Sequence, residues 1–221
     1  VNKSYPQVLK GVAGAKQVIA GNAGYRLKKD GTGWGITMRG PSQVTGLTGV
    51  TALATTGHAY YALKPDGTVW AWGMNNYGEL GQGNTDWNAG GKPVQIPSLT
   101  GVKALAGNQS GRYPGSAYAL KTDGTVWAWG DNVFYQLGDG SGRTQTRPVK
   151  VVNLSGVSSI ATTSAGAYAA KTDGTVWAWG DNIDGKLGLP EAIRTVPLPT
   201  QIKSLASVVS VAGSANTAYA L

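Results

Sequence analysis

The residues that could do covalent or acid–base chemistry are few. His58 is the only histidine and there is no cysteine, so thiolate chemistry is excluded and no histidine-based metal set can form. His58 stands just before the strand-like segment 60–64, and a lone histidine has no second one with which to build a site. No Gly-x-Ser-x-Gly, His-Glu-x-x-His or phosphate-loop pattern occurs. Gly213-Ser-Ala has no base near it in sequence. Of the 11 acidic residues, Asp30, Asp66, Asp123 and Asp173 each precede a glycine in a recurring segment. There Asp favours turn geometry, and its recurrence argues against catalysis. Asp139-Gly-Ser-Gly-Arg resembles half a calcium loop but lacks the spaced oxygens and closing glutamate. The expectation is therefore no enzyme, no catalytic residue, no cofactor and no metal.

What must position any functional residue is a repeat. Lys-x-Asp-Gly-Thr-Val-Trp-Ala-Trp-Gly ends at Gly73, Gly130 and Gly180, and a degenerate copy begins at Lys28. Each unit has four parts. A proline-led stretch comes first (Pro41-Ser-Gln-Val, Pro93-Val-Gln-Ile, Pro148-Val-Lys-Val, Pro199-Thr-Gln-Ile). A Leu-x-Gly-Val link or variant then leads to an apolar stretch ending near Ala54, Ala106, Ala161 or Ala212. Tyr-Ala-Leu or a variant and then Val-Trp-Ala-Trp-Gly complete the unit. These short pieces are rich in β-branched and aromatic residues and bounded by Gly, Pro or Asp-Gly, which reads as strands joined by hairpins. Antiparallel four-stranded units of about 50 residues predict an all-β fold, the blades of a β-propeller. Strand alternation places Trp70 with Trp72, Trp127 with Trp129 and Trp177 with Trp179 on one side, and small residues on the other. That pattern suits stacked, twisted blades, so the tryptophans read as packing and not as a binding platform.

Composition agrees. The chain has 34 Gly, 8 Trp and 10 Tyr in 221 residues, and only 14% are charged, below the usual quarter. No run reaches the 18 or so apolar residues of a membrane span, so membrane insertion is not expected. The formal charge of +8 favours polyanions. The lysines are scattered, however, and nucleic acid ranks low among partners. Absence of cysteine is compatible with bacterial export. The opening at Val1, without a charged leader, suggests a mature form or a fragment.

Ala-Tyr-Ala-Leu-Lys-x-Asp-Gly followed by Val-Trp-Ala-Trp-Gly-x-Asn-x-x-Gly-x-Leu-Gly resembles the regulator-of-chromosome-condensation repeat. Its core elements run Trp70–Gly81, Trp127–Gly138 and Trp177–Gly188. The resemblance implies a propeller, typically seven-bladed, with a non-catalytic binding role. The wording of the repeats resembles bacterial members, which implies a secreted or cell-surface protein. The chain reads as a single array over 1–221, with units near 6–40, 41–92, 93–147, 148–198 and an incomplete 199–221. Four blades and most of a fifth point to part of a longer ring, or else to an unusual closure. Unit one lacks the Asn-x-x-Gly-x-Leu-Gly element, and unit three carries Tyr135 where Gly78 and Gly185 stand in its neighbours. Nothing matches the hairpin that the nuclear family member sets on its GTPase, so nucleotide exchange is not expected.

Strand parity in an up-and-down meander separates the loops into two ends. The Asp-Gly turns and Leu-x-Gly links share one end and are nearly uniform. The loops after the Ala54-type and tryptophan strands share the other, and nearly every departure from the repeat lies there. Tyr77, Trp87, Arg112, Tyr113, Phe134 and Tyr135 are the candidate partner-binding residues, being the side-chain types that dominate interfaces on loops of a rigid scaffold. Another protein is the first expected partner. A glycan stacking on Trp87 and the tyrosines is the alternative, and nucleic acid comes last because nearby acids make this end mixed in charge.

Overall fold

The computed structural model describes residues 14–21, 23–37, 40–86, 91–108 and 115–221. It contains four antiparallel four-stranded sheets and one two-stranded sheet. The first comprises β1 (Ala15–Ala20), β2 (Gly24–Lys28), β3 (Gly33–Thr37) and β4 (Gly40–Gln43). The second comprises β5 (Ala52–Thr55), β6 (Ala59–Leu63), β7 (Val69–Gly73) and β8 (Val94–Gln95). In the third, β9 (Val102–Gly107), β10 (Ser116–Lys121), β11 (Val126–Gly130) and β12 (Gln145–Lys150) follow the same order. So do β13 (Val157–Thr162), β14 (Gly166–Lys171), β15 (Val176–Asp181) and β16 (Thr195–Gln201) in the fourth. The last sheet pairs β17 (Val211–Gly213) with β18 (Ala218–Ala220). The expected all-β, blade-by-blade architecture is what the chain adopts.

The sheets are framed one strand later than the sequence units. Each proline-led strand is hydrogen-bonded to the tryptophan strand before it, as Val149 is to Ala128 and Thr200 to Ala178. It forms the outer edge of that sheet, where proline, which cannot donate to a ladder, is tolerated. The inner strands β1, β5, β9, β13 and β17 lie side by side in succession. Small or β-branched residues, among them Ile19, Ala54, Ala106, Ile160 and Ala212, line the space they enclose.

That convergence brings backbones very close. A Cβ on Gly107 would collide with the carbonyl of Thr55 on the neighbouring inner strand. Gly107→Ala must push two inner strands apart. The expected loss is about 1–3 kcal/mol of stability, typical of overpacking and measurable by urea unfolding.

The two tryptophans of each motif have different environments. Trp129 and Trp179 are fully buried, and each indole reaches the preceding blade. Trp127 and Trp177 are only half-buried. Their N–H groups donate to Thr125 and Thr175 in their own hairpins, and a lysine lies over each ring. Trp72, which faces unit one, is buried but its indole N–H has no hydrogen-bond partner among the described residues. Unit one lacks the loop whose carbonyl serves this purpose elsewhere.

Candidate functional site

At the Asp-Gly end, polar groups are consumed by the turns. One carboxylate oxygen each of Asp30, Asp66, Asp123 and Asp173 accepts from the backbone N–H and hydroxyl of the threonine two residues on, at 2.6–3.0 Å. The hydroxyl bonds first, and the backbone bonds second, hold all four carboxyls below their ordinary value, Asp173 at about 2. The following glycine carbonyls accept from Val50, Val102, Val157 and Val208 of the Leu-x-Gly-Val links and the Ser207 variant. The turns and the links therefore share one end, as parity requires.

The opposite end is tied together in the same repetitive way. The N–H groups of Met74, Asp131 and Asp181, which begin the loops after the tryptophan strands, donate to His58, Gly115 and Ala165 in the loops after the inner strands. The His58 carbonyl thus ties two loops together, while its buried Nδ1 has no hydrogen-bond partner among the described residues. Asn75, Asn132 and Asn182 are completely buried. Each accepts from the N–H five residues on, those of Leu80, Leu137 and Leu187, at 2.9–3.0 Å. Their amide N–H groups bind farther along the same loop, at Asn84, Arg143 and Ile193 respectively. These asparagines are internal clamps, for which an Asn side chain, donor and acceptor together, is suited. Asp139, in the half-calcium-loop segment, is likewise committed. Burial acts to raise its pKa, but hydrogen bonds from Ser141, Asn132 and Gln145 outweigh that and lower it.

On this frame, Tyr77 stands 42% exposed while its N–H donates to the Glu79 carboxylate at 2.7 Å. Phe134 occupies the equivalent loop position in the next blade, half-buried, its N–H donating to the Gln136 side chain. Tyr135 has φ +59, the left-handed conformation of Gly78 and Gly185 at the same place. Its half-buried ring lies against Gly142, across its own loop. Trp87, Arg112 and Tyr113 lie outside the described residues, and with Trp87 lies the main support for the glycan alternative. Two residues at this end were missed by sequence reasoning. Val133 and Ile183, each directly after a clamp asparagine, are 58% and 44% exposed. Their signal was an apolar residue in a loop otherwise built of polar and turn residues.

A buried polar layer lies beneath these loops. Asp131 accepts from Gln136, and the equivalent pair in the next blade is an ion pair between Asp181 and Lys186. Glu79 and Asp131 are both buried, and burial pushes both carboxyls above their ordinary values. The charge of Asp131 raises Glu79 further, against the N–H of Tyr77, which lowers it. A carboxyl with a raised folded-state pKa stabilises most below its unfolded value, near 4, and that contribution is lost as pH rises through the folded value. The turn aspartates act oppositely. Their contribution is present above about pH 4 and is lost as pH falls through their folded values. Glu79→Gln is expected to raise the melting temperature at pH 7 and to flatten its decline between about pH 4 and 7, as calorimetry across that range would show.

A family model for the regulator of chromosome condensation (RCC1) repeat matches residues 66–109, 123–169 and 173–221. The chain is 40% identical over 100 residues to the human E3 ubiquitin-protein ligase HERC2, covering 42% of this chain and 2% of that protein. Over 128 residues it is 32% identical to the mitochondrial RCC1 domain-containing protein RUG3 of Arabidopsis thaliana, covering 57% of this chain and 27% of that one. Among solved structures, yeast RCC1 (Prp20) bound to Kap60 superposes with a TM-score of 0.77 at 22% identity, over 94% of this chain and 54% of that chain. The chain thus spans a small part of these curated relatives and about half of that solved propeller.

These relatives are eukaryotic, one of them mitochondrial by name. They overturn the expectation of a bacterial, secreted or cell-surface protein. That expectation rested on the wording of the repeats and the absence of cysteine. The repeat residues prove to be hairpin, clamp and blade-packing positions, whose physics is the same in any compartment. With the repeat model spanning more than half of the chain and the blades built as its residues require, this protein belongs to the regulator of chromosome condensation (RCC1) repeat family.

Proposed function

We propose that this propeller is a non-catalytic protein-binding scaffold whose contact surface is the end bearing the loops after the tryptophan strands. The observation that carries this reading is the exposure of Tyr77, Val133 and Ile183 on loops of three consecutive blades. Exposed apolar side chains at the same end of three consecutive blades support this reading, and aromatics among them are the usual energetic anchors. Phe134 and Tyr135, with Trp87, Arg112 and Tyr113, complete the proposed surface. The non-catalytic part is supported by the internal commitment of Asp139, Asp181 and the clamp asparagines. The yeast protein that shares this fold was solved with Kap60 bound, which is consistent with a protein partner here.

The test is affinity capture with quantitative mass spectrometry, comparing the chain with a Tyr77→Ser/Val133→Ser/Ile183→Ser variant. A control variant, Lys64→Ser/Lys121→Ser, alters the Asp-Gly end. Partners captured by the parent and the control but lost by the triple variant, with melting curves matched, would support the reading. Unchanged capture by the triple variant would show that the wrong end was chosen.

A further inference from the structure

The turns at the Asp-Gly end consume its carboxylates but not its ammonium groups. Lys28, Lys64, Lys121 and Lys171 each stand two residues before a turn aspartate. Each lies over an indole of its own blade, with Nζ 4.2–5.7 Å from the ring centroid. That stacking holds four cations at equivalent places in four consecutive blades. Among the described residues, the ion pair at this end is that of Lys171 with Asp173, at 3.2 Å.

Further lysines, all exposed, crowd the same end. Lys29 adjoins Asp30, and the charge of Lys150 is felt at Asp123. Lys103 follows Val102, whose N–H donates to the Gly67 carbonyl of a turn. Lys203 follows Ile202, whose N–H donates to Val176 at the exit of another turn. With Lys16, which donates to the Thr51 carbonyl, nine lysines stand here against four aspartates. The loop end has the opposite balance. Among the described residues it carries seven acidic side chains against five basic ones, and one of those five, Lys186, is paired with Asp181.

We propose that the Asp-Gly end, opposite the loop surface, docks peripherally and without insertion on a membrane rich in anionic phospholipid. Equivalent positions on four consecutive blades spread the cations around a rim. A two-dimensional array of this kind matches a charged plane, whereas the phosphates of a nucleic-acid duplex follow lines and would engage few of its members. Among the described residues, every cation that reaches the surface at this end is a lysine. Lysine is a point charge suited to phosphate, without the planar fork with which arginine reads carboxylates and base edges. The nearby indoles are covered by lysines and offer no open face to a nucleic-acid base. Attraction to an anionic leaflet grows with each lysine held within a Debye length of it, so lysines fixed on one rigid end act together.

The probe is a vesicle of about 70% phosphatidylcholine and 30% phosphatidylserine, mixed with the full 221-residue chain and sedimented. Binding is expected at about 0.1 M salt and not to vesicles of phosphatidylcholine alone. It should weaken at least about 10-fold at about 1 M salt, where the Debye length has fallen from about 10 to 3 Å. Lys29→Glu/Lys103→Glu/Lys150→Glu, at exposed positions, should also weaken it at least about 10-fold. Lys92→Glu/Arg143→Glu/Arg194→Glu makes the same change of net charge at exposed positions of the loop end. That variant should stay within about 3-fold of the parent, with the melting curves of both variants matched to it. No binding to the phosphatidylserine vesicles at about 0.1 M salt would overturn the proposal. So would equal losses for the two variants, which would leave only net charge at work. Preference for a DNA duplex of about 20 base pairs over the vesicles would overturn the membrane assignment and give this face to nucleic acid.

Discussion

Trp129→Ala is expected to lower the stability of the propeller by about 3–5 kcal/mol, the range for deleting a fully buried large side chain. Trp127→Ala, two residues away in the same strand, should cost about 1–2 kcal/mol, because that ring is half-buried and covered by Lys121. The contrast arises from where each indole goes. Trp129 crosses to the preceding blade, so its loss opens a cavity between two sheets and removes one of the two hydrogen bonds to the Glu79 carbonyl. Trp129→Phe retains most of the apolar contact and isolates that hydrogen bond, at about 1 kcal/mol. Urea unfolding of the three variants provides the comparison. Equal losses for the two alanine variants would mean that blade-to-blade packing does not depend on the second tryptophan.

Asn132→Ala is the second large effect expected, about 2–4 kcal/mol. The side chain is completely buried and its two ends serve different parts of one loop. Removal leaves the Leu137 N–H and the Arg143 carbonyl without the side-chain partner they now have at 2.9 and 3.0 Å, and a buried unsatisfied group costs roughly 1–3 kcal/mol. Asn132→Asp separates the two ends. A carboxylate can still accept from Leu137, but it would meet Asp139 and the Arg143 carbonyl where the amide N–H groups now point. That variant should be less stable than Asn132→Ala at pH 7 and should recover as pH falls and the carboxyl is protonated. Thermal unfolding at pH 7 and 5 distinguishes the cases. Insensitivity to both substitutions would remove the clamp from the account of why the loops hold their shape.

The turns that frame the loop end were legible in the sequence because their determinants are local. Asp-Gly hairpins and the turn position of Tyr135 both depend on residues within a few positions of one another. The division of loops between two ends followed from counting strands. What escaped was anything set by a neighbouring blade. Period-2 alternation places Trp127 and Trp129 on one face, but only the adjacent sheet distinguishes a half-buried ring from one that donates to Glu79 fifty residues away. Val133 and Ile183 looked like ordinary loop residues. Their exposure depends on which face of each loop the clamps turn inward.

The amino-acid sequence by itself determined the strand content, the hairpins, the repeat and its family, since each rests on short-range backbone preference and alternation. The tertiary structure decided which sheet each proline-led strand joins, because a strand bounded by loops can pair with either neighbour until edge position and packing select one. It also decided which tryptophan of each pair unites the blades, and which apolar side chains at the loop end remain in water. Those outcomes depend on surfaces that come together only when separate repeats are stacked.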